Sequence, residues 1–292
     1  MICKLRTTDY GLLTLVCLLA GCHSFRAAPP ASDKAVRADK EPPPALPGKH
    51  SLRVSQYVFL ADFELKRELP LFQELADLRD QVHKELQLPT ANTVIQVYLF
   101  EDEKRYERFM KARHPDLPRR RAFFVAQPRS VGGTEDLLVY TFWGDFLRKD
   151  LRHELTHALL HSVLKDVPLW LDEGLAEYYE APPERMGINL AHLEHFQREG
   201  LKPNLARLEQ LGQVQQMTPA EYREAWAWVH LMLRSKPEAR AVLLKYLQQL
   251  RTNPAPGPLQ PRLAEVFPSP EEALEKHLAR LAAAHPSPTV QR

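Results

Sequence analysis

Two histidines and a glutamate within five residues have the types and spacing needed to bind a metal ion and activate water. The segment His153-Glu154-Leu155-Thr156-His157 places the two imidazoles four positions apart. On an α-helix, which advances about 100° per residue, His157 lies about 40° around from His153 and one turn along, so both rings can reach one ion. Zinc accepts imidazole nitrogen and carboxylate oxygen, and Glu154 can take a proton from water that the metal activates. The spacing therefore predicts a zinc site with Glu154 as its base.

A catalytic zinc site needs a third protein ligand and an open fourth position. The segment PLWLDEGLAE, at 168–177, offers acidic side chains shortly after the histidines. On a helix that begins at the proline, Glu173 and Glu177 lie about 40° apart on one face. We expect Glu173 to be the third ligand. Asp172, about 100° around the helix, is the alternative ligand, and solvated acids on an ordinary amphipathic helix are the simpler interpretation of the block.

Together the two motifs resemble the gluzincin metallopeptidases, in which His-Glu-x-x-His is followed by a block similar to Trp-Leu-Asp-Glu-Gly-Leu-Ala-Glu. The likeness is greatest to the peptidase-MA-like domains of bacterial proteins. It implies that His153, His157 and Glu173 bind zinc and that Glu154 is the base. It also implies that Glu177 orients a histidine ligand, as acidic neighbours of metal-bound histidines do.

The resemblance covers only about residues 150–180, and the chain departs from related families at several points. No Gly-x-Met-Glu-Asn block precedes the histidines, so aminopeptidase specificity is not implied. The metzincin pattern fails because Leu160 and Val163 stand where its glycine and third histidine would be. His161 lies about 12 Å along the helix axis from His153, too far to bind the same ion, and we expect it to be a partly exposed structural residue.

Gluzincins often supply a tyrosine or histidine from the C-terminal side to stabilise the oxyanion of the reaction. Tyr222, Trp226 and His230 lie on one stripe of a later predicted helix. By the resemblance, Tyr222 and His230 are candidate oxyanion stabilisers; packing in the core is the alternative for each. The predicted strand 137–142, just before the histidine motif, could bind an extended peptide by strand addition.

Cysteine content and charge exclude several other classes of function. All three cysteines lie within the first 22 residues, so the remaining chain has no thiol nucleophile and no thiolate ligand. Cysteine-protease and zinc-finger chemistry are thereby excluded. The formal net charge of +2 gives no reason to expect a nucleic-acid partner. The basic run Arg119-Arg120-Arg121 follows a proline, and we expect a solvated loop there.

The first 22 residues have the pattern of an export signal. Lys4 and Arg6 precede an apolar stretch at 11–20, and Leu-Ala-Gly-Cys ends the segment at Cys22. That tetrapeptide resembles the lipobox of bacterial lipoproteins, which implies cleavage before Cys22 and a lipid anchor on its thiol. The chain is then exported and held on the periplasmic or cell-surface side of a bacterial membrane. A plain secretory signal is the alternative.

The rest of the sequence divides into a tether, a folded domain that positions the histidines, and a tail. The Pro-rich composition of 23–50 predicts a tether. We expect the peptidase-MA-like domain to extend over 51–285. Strand-like and helix-like segments alternate through 51–142, whereas 143–285 is almost wholly helical in pattern. The predicted fold class is α+β: a small mixed sheet with helices, then a mostly helical zincin-like half that carries the histidine motif. A loose tail is expected at 286–292.

The sequence thus predicts a zinc-dependent metallopeptidase that hydrolyses peptide bonds of a peptide or protein substrate. Two alternatives stay open. One is a lipid-anchored binding domain that retains a zinc site without turnover, and the other is a zinc amidase that acts on the cell wall.

Overall fold

The computed structural model describes most of the predicted domain: residues 45–128, 135–164, 166–200 and 202–286. The predicted signal peptide with Cys22, nearly all of the predicted tether and the tail after 286 lie outside the described residues. So do Gly132 and Gly133, which the sequence places between two predicted strands.

A five-stranded mixed sheet occupies the N-terminal half, in the order β1-β2-β3-β5-β4. The strands are β1 His50–Val54, β2 Tyr57–Ala61, β3 Ile95–Phe100, β4 Ala122–Pro128 and β5 Glu135–Phe142. The three central strands β2, β3 and β5 are parallel, and the two edge strands are antiparallel to their neighbours. Burial alternates along β3, where Ile95, Val97 and Leu99 are fully buried between half-buried Gln96 and Tyr98.

Ten α-helices complete the described part of the chain, and eight of them follow the sheet. Their bounds are α1 Pro70–Glu85, α2 Glu103–Arg113, α3 Leu147–His161, α4 Leu169–Glu180, α5 Leu190–Glu199, α6 Leu205–Leu208, α7 Pro219–Arg234, α8 Pro237–Leu250, α9 Gln260–Ala264 and α10 Pro270–Ala284. The predicted α+β class, with strands first and helices after, is confirmed. None of the described helices combines the length and apolar character that crossing a membrane requires.

Local signals set several helix ends. The Asp102 carboxylate accepts a hydrogen bond from the Arg105 backbone N–H at 2.8 Å and so caps the start of α2. Thr218 and Glu221 form a reciprocal capping box at the start of α7. The helix α1 begins at Pro70, whose fixed φ and missing N–H suit a first helical position.

The prediction that the strand at 137–142 binds a peptide by strand addition is wrong. This strand is β5, which pairs with β3 on one side and with β4 on the other, so its backbone groups are already used. Sequence order places it just before α3, but the antiparallel pairing with β4 encloses it within the sheet. The edge strand that contacts α3 is β4.

Helices cover both faces of the sheet. On one face α1 and α3 pack with the larger core, while α2 packs on the other with a separate cluster around Tyr106, Phe109 and Phe123. The helix α3 also contacts α4, and α4 in turn packs on α7. The histidine motif therefore lies on a helix held between a sheet and a second helix.

The glycine of the second motif is needed where α4 meets α7. A Cβ at Gly174 would lie 2.6 Å from the Ala225 carbonyl oxygen and 2.9 Å from a methyl group of Val229. The first of these is a backbone atom, so α7 itself would have to move. Because α4 carries Glu173, this close approach also fixes the position of the predicted third ligand.

We predict that Gly174→Ala lowers the free energy of unfolding by about 1–3 kcal/mol, as overpacking does, although alanine in a helix normally stabilises. Gly212→Ala, with open space around its Cβ, is the matched control and should change stability by less than about 0.5 kcal/mol. Urea unfolding of both variants measures the difference. Equal stabilities would show that α4 and α7 separate without cost.

Candidate metal centre

The helix α3 presents the two histidines on the side opposite its leucines. Leu151, Leu155 and Leu159 are fully buried in the core that α3 shares with the sheet. The His153 side chain is 12% exposed, and that of His157 is completely buried. The leucine packing therefore turns both imidazoles towards α4.

Three potential ligand atoms converge between α3 and α4. His153 Nε2 lies 3.2 Å from His157 Nε2. Glu173 Oε2 lies 3.4 Å from the first of these nitrogens and 3.6 Å from the second. The structure thus brings the three predicted ligands together as a group that could hold a metal ion.

The far nitrogen of each imidazole has an acidic neighbour. His153 Nδ1 is hydrogen-bonded to Glu180 Oε1 at 2.9 Å, and His157 Nδ1 lies 3.1 Å from Asp172 Oδ1. Carboxylates at these positions favour a proton on Nδ1, so the lone pair of each ring lies on Nε2. Both lone pairs then point at the space between the two rings and Glu173.

The residues that orient the histidines are not those that the sequence suggests. Glu177, predicted for this role, has its carboxylate 3.0 Å from His192 Nε2 on α5. The role falls instead to Glu180, which the sequence analysis missed, and to Asp172, considered there only as a rival ligand. Glu180 lies two turns after Glu173, on the same helical face, and that periodicity is the signal that could have identified it.

The centre favours positive charge. Burial lowers the pKa of His153, but the neighbouring carboxylates of Glu173 and Glu180 outweigh it and raise that pKa well above its ordinary value. Burial raises the pKa of Asp172, whereas the imidazoles of His157 and His161 pull it down to about 2. A cation among the Nε2 atoms, whether a proton or a metal ion, is therefore stabilised by the surrounding carboxylates.

Glu173 Oε2 also lacks a partner. Glu173 is fully buried, and among the described residues this oxygen has no hydrogen-bond donor. A buried carboxylate oxygen without a donor is costly unless a cation neutralises it. The donor set of two imidazole nitrogens and one carboxylate oxygen is a set that divalent metal ions accept.

A second group of side chains could also hold an ion by distance alone: His153, Glu177 and Glu180. Its charges are already balanced, because Lys149 Nζ lies 2.9 Å from Glu180 Oε2 and His192 pairs with Glu177. His153 would have to use the nitrogen that Glu180 already engages. The group with Glu173 is therefore the better metal site.

The buried guanidinium of Arg152 joins α3 to the end of α4. Arg152 is 1% exposed, and its Nε donates to the Tyr179 carbonyl at 2.8 Å while its Nη2 donates to the Ala181 carbonyl at 2.9 Å. These carbonyls lie at the C-terminus of α4, where the helix leaves acceptors without intrahelical donors and favours positive charge. Glu74 on α1 lies 3.3 Å from the same guanidinium. Arg152 thus fixes α4 beside the histidines.

The predicted base lies at an open cleft. Glu154 and His153 line a cavity of about 440 Å³ between α2 and α3, whose floor is the start of β4. The basic run lies in a solvated loop, as predicted, with Arg119 and Arg121 exposed, and it also borders this cavity. Arg121 pairs with Asp150 at 2.7 Å, and Arg119 pairs with Glu107.

Tyr222 also reaches the centre. Its hydroxyl lies 3.5 Å from Glu173 Oε1 and accepts a hydrogen bond from Arg120 at 3.0 Å. Burial and the Glu173 carboxylate raise the pKa of Tyr222 to about 12, against the opposing effect of Arg120. The phenol therefore keeps its proton at neutral pH and is available as a donor.

His230, the other candidate oxyanion stabiliser, lies in a different environment. Its Nδ1 lies 2.9 Å from His277 Nε2 on α10, and its ring packs against Tyr178 and Trp226. Burial, with His277 and Arg234 nearby, lowers its pKa to about 3. These contacts are those of a core residue between α7 and α10.

His161 also differs from its expected environment. Its side chain is only 3% exposed, and Nε2 lies 3.2 Å from Asp172 Oδ2. It shares Asp172 with His157, so it supports the centre although it is too far along α3 to be a ligand.

Two comparisons with known proteins were negative. The chain matches no protein-family model, and it matches none of the curated proteins.

We predict that Asp172→Asn weakens zinc binding about 10- to 100-fold, as loss of a carboxylate behind a histidine ligand does. Glu177→Gln is the matched control, because its carboxylate pairs with His192 instead, and its zinc affinity should stay within about threefold of the wild type. Competition with a chelator gives both dissociation constants. A larger loss in Glu177→Gln than in Asp172→Asn would restore the role that the sequence assigns to Glu177.

Proposed function

We propose that this chain is a zinc-dependent metallopeptidase with His153, His157 and Glu173 as ligands and Glu154 as the base. One observation carries the proposal: the three ligand atoms are separated by 3.2, 3.4 and 3.6 Å. In a tetrahedral site with zinc–ligand bonds of about 2.0–2.1 Å, neighbouring ligands are about 3.3–3.4 Å apart. The observed triangle therefore has the dimensions of three corners of such a site.

The residues that would hold zinc border the cleft through His153. His153 lines the cavity, and Glu154 beside it is buried at the cavity wall. A site with three protein ligands and one accessible position is typical of catalytic rather than structural zinc. This arrangement favours hydrolysis over a purely structural role.

Zinc, when bound, supplies a Lewis acid that lowers the pKa of water and polarises a carbonyl group. The chain supplies the proton transfers. Glu154 would accept a proton from the attacking water at one carboxylate oxygen and then pass it to the nitrogen of the leaving amine. The carboxylates of Asp172 and Glu180 would hold the two imidazoles in the required tautomer throughout.

Tyr222 is the proposed donor to the developing oxyanion. Its oxygen accepts a hydrogen bond from Arg120, so its proton is directed away from that guanidinium and towards Glu173 Oε1. The Tyr222 hydroxyl thus lies 3.5 Å from an oxygen of Glu173, one of the proposed metal ligands. A donor placed there could stabilise charge that appears only in the transition state.

The place of action is proposed from the sequence motif at Cys22. Export and lipid attachment at this cysteine would hold the domain at a bacterial membrane, with peptides or proteins outside the cytoplasm as substrates. The Pro-rich stretch up to residue 50 would supply the reach.

Glu154→Gln should retain zinc and lower kcat by about 10²- to 10⁴-fold, because the amide cannot accept the proton. Glu275→Gln, an exposed residue on α10, is the matched control and should keep full activity. His157→Ala should lose both zinc and activity. Metal analysis and cleavage of a peptide library measure these outcomes, and full activity in Glu154→Gln would contradict the mechanism.

Tyr222→Phe should lower kcat about 10²- to 10³-fold with zinc affinity unchanged, since one oxyanion donor is lost. His230→Gln serves as the comparison, because its contacts lie in the core away from Glu173, and its kcat should remain near that of the wild type once the protein is folded. Steady-state kinetics on one peptide separates the two. The opposite order of effects would identify His230 as the donor.

A further inference from the structure

A second cavity, of about 230 Å³, lies beside α2. We call it the α2 pocket, after the helix that supplies one wall. The segment between α2 and β4 supplies the other wall. Its apolar and aromatic lining residues are Tyr106, Met110, Pro115, Leu117, Pro118 and Phe123.

The α2 pocket adjoins the metal cleft. Glu107, Arg119 and Arg120 line both cavities. Consecutive residues of β4 divide between them, since Ala122 borders the cleft and Phe123 borders the pocket. A chain that lies across the cleft can therefore place one side chain in the pocket.

The interior of the α2 pocket suits an uncharged group. Met110 and Phe123 belong to the apolar cluster on this face of the sheet, and Leu117 packs against it. Four charged residues also line the pocket, and two of them, Arg119 and Glu107, pair with each other. A charged side chain would lose much of its hydration against the apolar wall, a cost that an uncharged ring does not carry.

The size of the pocket favours a large apolar group over a small one. An apolar cavity of about 150 Å³ is already large enough to bind benzene, so the α2 pocket can hold one aromatic ring. A methyl group would leave most of it unfilled and would bury far less apolar area.

We propose that the α2 pocket is a specificity subsite, which binds a large apolar side chain, above all an aromatic one, of the peptide substrate near the scissile bond. The assignment rests on the proposed function for its substrate class. Such a subsite would favour protein substrates over substrates that carry only small or charged side chains.

The test uses Met110 as a reporter in the purified chain. The chain has five methionines, so ¹³C-methyl labelling gives few signals, and Met110→Leu assigns the one of interest. N-acetyl-phenylalaninamide should shift the Met110 signal saturably and bind about tenfold or more tightly than N-acetyl-alaninamide. Equal effects of the two amides, or none, would overturn the proposal.

A blocking variant and its control sharpen the result. Leu117→Trp fills the pocket from its half-buried wall and should abolish the shift. Val94→Trp adds the same side chain at an exposed position before β3 and should leave the shift unchanged. Thermal unfolding checks both variants, and if Leu117→Trp does not fold, the comparison of the two amides in the wild type decides the question.

Cleavage profiles then distinguish failure of the subsite proposal from failure of the proposed function. Among peptides varied one position at a time, the wild type should prefer an aromatic residue at one position by about tenfold in kcat/KM, and Leu117→Trp should remove that preference. Hydrolysis without such a preference, together with no binding of the aromatic amide, overturns the subsite alone. Binding of the aromatic amide without any hydrolysis supports the pocket as a site for an apolar ring and overturns the peptidase.

Discussion

Three electron-donating atoms, two of them on fully buried residues, lie within 3.6 Å of one another between α3 and α4. Two imidazole nitrogens and a carboxylate oxygen repel each other at such distances unless a cation lies among them. The helices can hold this arrangement only because other contacts fix them. The leucines of α3 pack on the sheet, and the close approach at Gly174 fixes α4 against α7. The candidate site is therefore a product of helix packing rather than of a loop.

Charge alternates outward from the three atoms. The ligand group attracts a cation, the carboxylates of Asp172 and Glu180 lie behind the imidazoles, and Lys149 lies behind Glu180. Arg152 provides positive charge at the end of α4. This alternation of sign limits the cost of burying the charges and restricts how the rings can rotate. The arrangement makes the orientation of the histidines depend on residues from both helices.

The groups around the cleft come from distant parts of the chain. Glu154 belongs to α3, Tyr222 to α7, and Arg120 to the segment before β4. The cleft and the α2 pocket share their rim, so the part of the chain that would choose a substrate is separate from the part that would hold the metal. A change of specificity could therefore leave the ligand geometry intact.

The sequence by itself determined the division into a mixed first half and a helical second half and the common facing of His153 and His157, and it predicted Glu173 beside them, because these follow from periodicities within single elements. Only the tertiary structure decided that Glu180 and Asp172, rather than Glu177, support the imidazoles. It also decided that β5 lies inside the sheet, so that the edge next to α3 belongs to β4. The physical reason is that such contacts depend on how separate elements pack, and one residue of helical rotation or one change in strand pairing alters them without altering any local pattern.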